Sequence, residues 1–135
     1  MHALDPIPAV RRLETDNDQV FAIEISGRTT SADAENLFGL LEGAYALHEH
    51  VDVLVRATGY DGADWSEIDQ RTMAEGRRHA EEHVRRCAVV GGPDWTDRIG
   101  GFFSADVPVE LRYFPPEREP DAWSWLDARE IRPRL

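Results

Sequence analysis

The residues with the most chemistry in them sit near the middle of the chain. His79-Ala80-Glu81-Glu82-His83 spells H-x-x-E-H, and on a helix the two histidines share a face where a zinc ion could bridge them, with Glu82 beside it. That pattern would suit a zinc-dependent hydrolase. Against it, the pattern falls in the last turn of a polar helix, where histidine near the negative end of the helix dipole is favourable without any metal. A third ligand is also needed, and so small a domain does not obviously supply one.

Other candidates carry simpler explanations. His48-Glu49-His50 lies where a helix ends before a strand, and a solvated helix end accounts for it. Gly91-Gly92-Pro93 opens a helix whose free N–H groups could cradle an anion. Asp94 already answers that helix dipole and would repel phosphate, and neither G-x-G-x-x-G nor G-x-x-x-x-G-K-[ST] occurs. Cys87 belongs to an apolar strand, where a thiol is usually buried and inert. Asp61, Asp64 and Glu67 are too few to make a calcium loop.

Composition narrows the field further. The chain has 135 residues and a net charge of −11, which argues against nucleic acid. All 15 basic residues are arginine. Without lysine there is no Schiff-base chemistry, no lysine nucleophile and no P-loop lysine. A single cysteine allows no internal disulfide, and the start Met1-His2-Ala3-Leu4-Asp5-Pro6 lacks the character of a secretory signal, so a cytoplasmic location is expected. No apolar run approaches the roughly 20 residues that span a bilayer. The expected organisation is one domain over residues 1–130 with a tail over 131–135, and no cofactor.

The elements that must position these residues alternate in period. Residues 8–14 and 20–26 read as a β-hairpin around Thr15-Asp16-Asn17-Asp18, the second strand ending at Gly27. Thr30 and Asp33 have capping-box spacing before a helix of about four turns carrying Leu37, Leu40, Leu41 and Ala44. Val51 to Val55 barely alternates, which places it in the middle of a sheet. Residues 59–64 read as a loop and 65–82 as a helix. A strand through Cys87-Ala88-Val89-Val90 leads to a short helix over 93–103. The last strand, 107–114, contains Pro108 and belongs at an edge. A closing helix over 117–128 places Ala122, Trp125 and Leu126 on one side. The order β-β-α-β-α-β-α-β-α predicts an α/β fold: a mostly parallel five-stranded sheet with an N-terminal hairpin and four helices.

That order, together with several local words, resembles the SpoIIAA-like family, small bacterial proteins with a STAS-type α/β fold. The words are Ser26-Gly27 before Thr30 and Asp33, the strand Val51 to Val55, Gly76 with His79, Cys87-Ala88-Val89-Val90-Gly91 with Trp95, Arg112-Tyr113-Phe114, and Ala122-Trp123-Ser124-Trp125-Leu126. The resemblance spans nearly the whole chain and implies a sheet with helices on its faces. In STAS domains of the anti-sigma-antagonist type, a serine at the helix start after the central strand is phosphorylated. The corresponding place here carries Ser66, but the Asp-Leu-Ser of that motif is missing, because the strand runs Val55-Arg56-Ala57-Thr58-Gly59-Tyr60. A serine there serves equally as a helix cap.

Four tryptophans complete the reading. Trp95 and Trp125 fit core positions, whereas Trp65 follows a Gly-rich loop and Trp123 falls on the helix side away from Trp125. All four can pack internally; alternatively, Trp65 with Tyr60, Ser66, Gly91 and Trp95 lines an apolar pocket or a dimer interface at the carboxyl edge of the sheet, where open α/β sheets bind ligands. The expected function is therefore a non-enzymatic binding or regulatory domain that holds a small apolar molecule or a protein partner. A homodimer is one form of it, and a phospho-switch at Ser66 and a zinc hydrolase are the alternatives.

Overall fold

The computed structural model describes residues 10–63, 69–91 and 109–131. Val10–Leu13 (β1) and Val20–Thr29 (β2) form the expected antiparallel hairpin. Its turn is held locally: the Thr15 hydroxyl accepts from the Asn17 N–H at 3.1 Å, and Asn17 Oδ1 accepts from the Gln19 N–H at 3.0 Å. Ser31–Leu47 (α1) follows, capped as its sequence predicts. Thr30 Oγ1 accepts the Asp33 N–H at 3.3 Å while Asp33 Oδ2 accepts the Thr30 N–H at 2.7 Å, so two of the orphan donors of the helix start are satisfied reciprocally.

Val51–Ala63 (β3), Gln70–His83 (α2), Val84–Val90 (β4) and Glu110–Phe114 (β5) complete the sheet, followed by a 3-10 turn, Pro116–Arg118, and the helix Glu119–Trp125 (α3). The strand order is β1-β2-β3-β4-β5, with β3 in the centre and β5 at the edge among the described residues, while the Pro108 of the sequence argument lies outside them. The sheet is mixed: β1 pairs antiparallel with β2, and the other pairings are parallel. The described residues hold three α-helices, and the helix expected over 93–103 lies outside them.

Strand alternation sorts the side chains into two cores. Phe21, Ile23, Ile25, Val51, Val53, Val55, Cys87 and Val89 face α1 and α2. Val20, Ala22, Leu54, Ala88 and Val90 face the opposite way and are covered by α3 through Ala122, Trp123 and Leu126. Burying both faces explains why β3 and β4 read as unbroken apolar runs.

Several boundaries differ from the sequence reading. β2 does not stop at Gly27 but reaches Thr29, and the expected loop at 59–64 is strand as far as Ala63. The cause is mutual: the two strands pair alongside each other, with register shifts on either side of Gly27 absorbing the irregularity. α2 starts at Gln70, because Asp69 is its cap and accepts from the Arg71 N–H at 3.4 Å. β5 begins at Glu110, leaving Val109 outside it. The closing helix is shorter than expected and buries Trp123, 7% exposed, against the sheet, while Trp125 packs partly buried on the same cluster. Asp127 at φ 57° ends that segment.

The chain after α3 then ties back to the hairpin. The Asp16 N–H donates to the Arg129 carbonyl at 3.1 Å and the Ile131 N–H to the Glu14 carbonyl at 2.8 Å, with a bridge between Thr15 and Glu130. No helix among the described residues is long and apolar enough to cross a membrane.

Candidate functional site

The carboxyl edge of the sheet is shaped by unequal strand lengths. β4 last pairs with β3 where Val90 meets Arg56, yet β3 continues to Ala63, accompanied only by the end of β2 among the described residues. Gly27 lies opposite Tyr60, Arg28 opposite Gly62 and Thr29 opposite Ala63. A two-stranded ribbon thus carries Tyr60 past the sheet. Trp65, Ser66 and Trp95, which the sequence reading grouped with Tyr60, lie outside the described residues.

Gly91 marks the end of β4 and has a backbone reason to be glycine. Its φ is +71°, and a Cβ there would stand 2.8 Å from the Ala57 carbonyl oxygen. Its N–H donates to the Phe114 carbonyl at 3.0 Å, locking the ends of β4 and β5 together. That role is closure of the sheet edge.

The H-x-x-E-H pattern is used for helix packing. Three α2 positions mesh with α1: Gly76 lets the Phe38 ring approach, His79 Nδ1 meets the Glu42 carboxylate, and His83 stacks on Tyr45. The His83 ring lies 4.7 Å from the Tyr45 ring at 12°, and its Nδ1–H donates to the Glu49 carbonyl at 2.7 Å. Ala80 is the buried member of the helix. Among the described residues no three His, Cys, Asp or Glu side chains come together as a metal would require. His48 caps α1 with its backbone N–H on the Ala44 carbonyl, as a helix end would.

A polar cluster that sequence reading missed lies on the α3 face. The side chain of Arg56, 13% exposed, is surrounded by carboxylates from three segments. Its Nε donates to Glu24 at 2.9 Å, its Nη1 to Glu119 at 2.8 Å and to Glu130 at 2.9 Å, and its Nη2 to the second Glu130 oxygen at 3.3 Å. Trp123 Nε1 donates to the same Glu119 oxygen at 3.0 Å, and Arg11 joins Glu24 at 2.6 Å. Burial opposes the charge on Arg56, but the Glu130 and Glu119 bonds outweigh it and hold the pKa above the usual arginine value. An open cleft of about 840 Å³ passes this cluster, lined by Pro116, Glu119, Pro120, Trp123 and Glu130 among others.

A second inward-facing pair sits lower on the same face. Arg86 donates to Asp52 at 2.7 Å and to the Trp125 carbonyl at 2.5 Å, and the Asp52 bond raises its pKa. The signal for both pairs was present in β3: Asp52 and Arg56 share the inward parity of Leu54, and a charge at such a position demands a partner.

The remaining displaced groups are far from neutrality. Burial pushes the Cys87 thiol up to about 12, and burial, followed by Glu42 and Cys87, raises the Tyr45 phenol. The Tyr45 hydroxyl is itself buried without a hydrogen-bond partner.

Comparison with known proteins places this geometry. A family model described as SpoIIAA-like matches residues 20–127. A crystal structure of an uncharacterized protein from the DUF3478 family of Shewanella loihica PV-4, with a SpoIIAA-like fold, superposes with a TM-score of 0.64 at 23% identity, covering 90% of this chain and 97% of that one. No curated protein sequence matches the chain.

Proposed function

Because this chain belongs to the SpoIIAA-like family, we propose that it is a regulatory domain that acts by binding and not by catalysis, holding a small apolar ligand or a protein partner at the carboxyl edge of its sheet around Tyr60, Trp65 and Trp95. The observation that carries this reading is the β2–β3 ribbon, which projects Tyr60 beyond the end of β4 at the edge where open α/β sheets take their ligands. The chemistry supports it. Acid–base catalysis needs groups tuned toward the working pH, and Cys87 and Tyr45 are displaced away from it. His79 and His83, the residues of the zinc reading, are engaged with α1.

Native mass spectrometry of the purified protein tests the proposal. The expected result is a bound small molecule or protein that is lost in Trp65→Ala and Trp95→Ala variants whose circular dichroism is unchanged. Retention of the bound species by both variants overturns the site. Stoichiometric zinc that disappears in a His79→Ala variant overturns the class.

A further inference from the structure

β5 is the outer strand of the sheet among the described residues. The Phe114 carbonyl accepts from Gly91, the residue that follows β4, so by strand alternation the backbones of Glu110, Arg112 and Phe114 address β4. Leu111 and Tyr113 direct their N–H and C=O groups outward. An outward row of this kind is a template for another strand.

We infer that two copies of this chain associate through β5, antiparallel about a two-fold axis at Leu111, so that one sheet continues across the dimer. The register follows from elimination. Centring the axis on Arg112 or on Glu110 sets like charges against each other at the closer, non-hydrogen-bonded spacing. Centring it on Tyr113 places Leu111 opposite Pro115, which has no N–H to give. Centring it on Leu111 sets Leu111 against Leu111 and Val109 against Tyr113, and it sets Glu110 against Arg112 twice, once on each side of the axis.

The side chains are arranged for that register. Tyr113 is 42% exposed, a large ring with unoccupied surface beside Leu111. Arg112 is held over the Trp125 ring at 5.0 Å, on the α3 face that Glu110 shares, so less rotamer freedom is lost when it meets an opposing carboxylate. Charges on an edge strand commonly repel strangers, but an alternating pair of opposite sign is complementary to its own antiparallel copy. This interface is separate from the ribbon site and moves self-association from Trp65 to β5.

Sedimentation equilibrium decides the matter. The wild-type chain is expected to dimerise reversibly and more weakly at high salt. Glu110→Arg and Arg112→Glu are each expected to weaken the dimer by about tenfold, since each reverses both cross-strand pairs. An equimolar mixture of the two variants is expected to regain the wild-type constant, because every opposing pair in the mixed dimer is again of opposite sign. The doubly reversed chain, Glu110→Arg with Arg112→Glu, is expected to regain it as well, which separates lost pairing from a lost Trp125 contact. A wild type that stays monomeric at submillimolar concentration overturns the inference, as do single variants that dimerise normally, failure of both restorations, or a dimer abolished by Trp65→Ala.

Discussion

The imidazole of His83 lies almost parallel to the phenol ring of Tyr45, with ring centroids 4.7 Å apart, and so the terminal turn of α2 is fastened to α1 by an aromatic stack. Such a contact contributes about 0.5–1.5 kcal/mol beyond its area, and it adds to a helix that buries little apolar surface, Ala80 being its buried residue. His83→Ala is expected to lower the denaturation midpoint by the equivalent of about 1–2 kcal/mol, while His83→Phe, which keeps the stack, recovers most of it. Urea unfolding followed by far-UV circular dichroism measures both. A chelator is expected to leave the wild-type midpoint where it was.

Tyr45 offers a test of opposite sign. Its hydroxyl is buried and unpartnered, a condition that costs about 1–3 kcal/mol. Tyr45→Phe keeps the ring on His83 and is expected to raise stability by about 1 kcal/mol. The same residue and Cys87 set the alkaline limit. Both groups have folded pKa values above their unfolded ones, so their neutral forms are favoured by folding: for Cys87 that contribution is complete below pH 9, the usual thiol value, and is lost as the pH rises toward about 12, and for Tyr45 it is lost at higher pH still. The unfolded chain then carries fewer protons than the folded one, and stability falls by up to about 1.4 kcal/mol per pH unit for each group. Unfolding midpoints measured from pH 8 upward should decline less steeply in Tyr45→Phe and in Cys87→Ala.

The Arg56 cluster predicts a sharp contrast between two arginines that touch the same carboxylate. Arg56→Ala leaves Glu24, Glu119 and Glu130 facing one another without their shared cation and is expected to cost about 3–5 kcal/mol. Arg11, whose side chain is 57% exposed, also binds Glu24, and Arg11→Ala is expected to cost under about 1 kcal/mol. Thermal unfolding of the two variants separates them by many degrees if the cluster is organised as described, and equal losses would contradict it.

Gly91→Ala is expected to destabilise by about 2–3 kcal/mol, since the new methyl group would meet the Ala57 carbonyl and the backbone would remain in the left-handed region. Differential scanning calorimetry reads the loss directly. A neutral result would mean that the β4 end is not closed by that approach.

What the sequence made legible was local. The reciprocal cap of Thr30 and Asp33 and the face shared by Phe21, Ile23 and Ile25 depend on residues a few positions apart, and both are found. Features set by distant partners were hidden. Gly59, Asp61 and Gly62 have turn chemistry, yet pairing with β2 draws them into β3. The burial of Trp123 was hidden for the same reason, since its ring nitrogen is satisfied by Glu119, which also bonds the distant Arg56. The H-x-x-E-H spacing admits a metal reading as well as a structural one because the i, i+4 relation that aligns ligands is also the one that meshes two helices. At the candidate site, Gly91 was found for its turn chemistry, and its steric reason needed the Ala57 carbonyl across the sheet.

Arg56 sits 63 and 74 residues ahead of the glutamates that complete its shell. During synthesis the strand bearing this guanidinium leaves the ribosome well before Glu119 and Glu130 exist, so the nascent sheet carries on one face an arginine whose Nη groups lack their carboxylates. Closing it is a late step with a long loop-closure cost, and a stalled chain lacking its last segment would present to chaperones an apolar surface that the finished molecule conceals beneath α3.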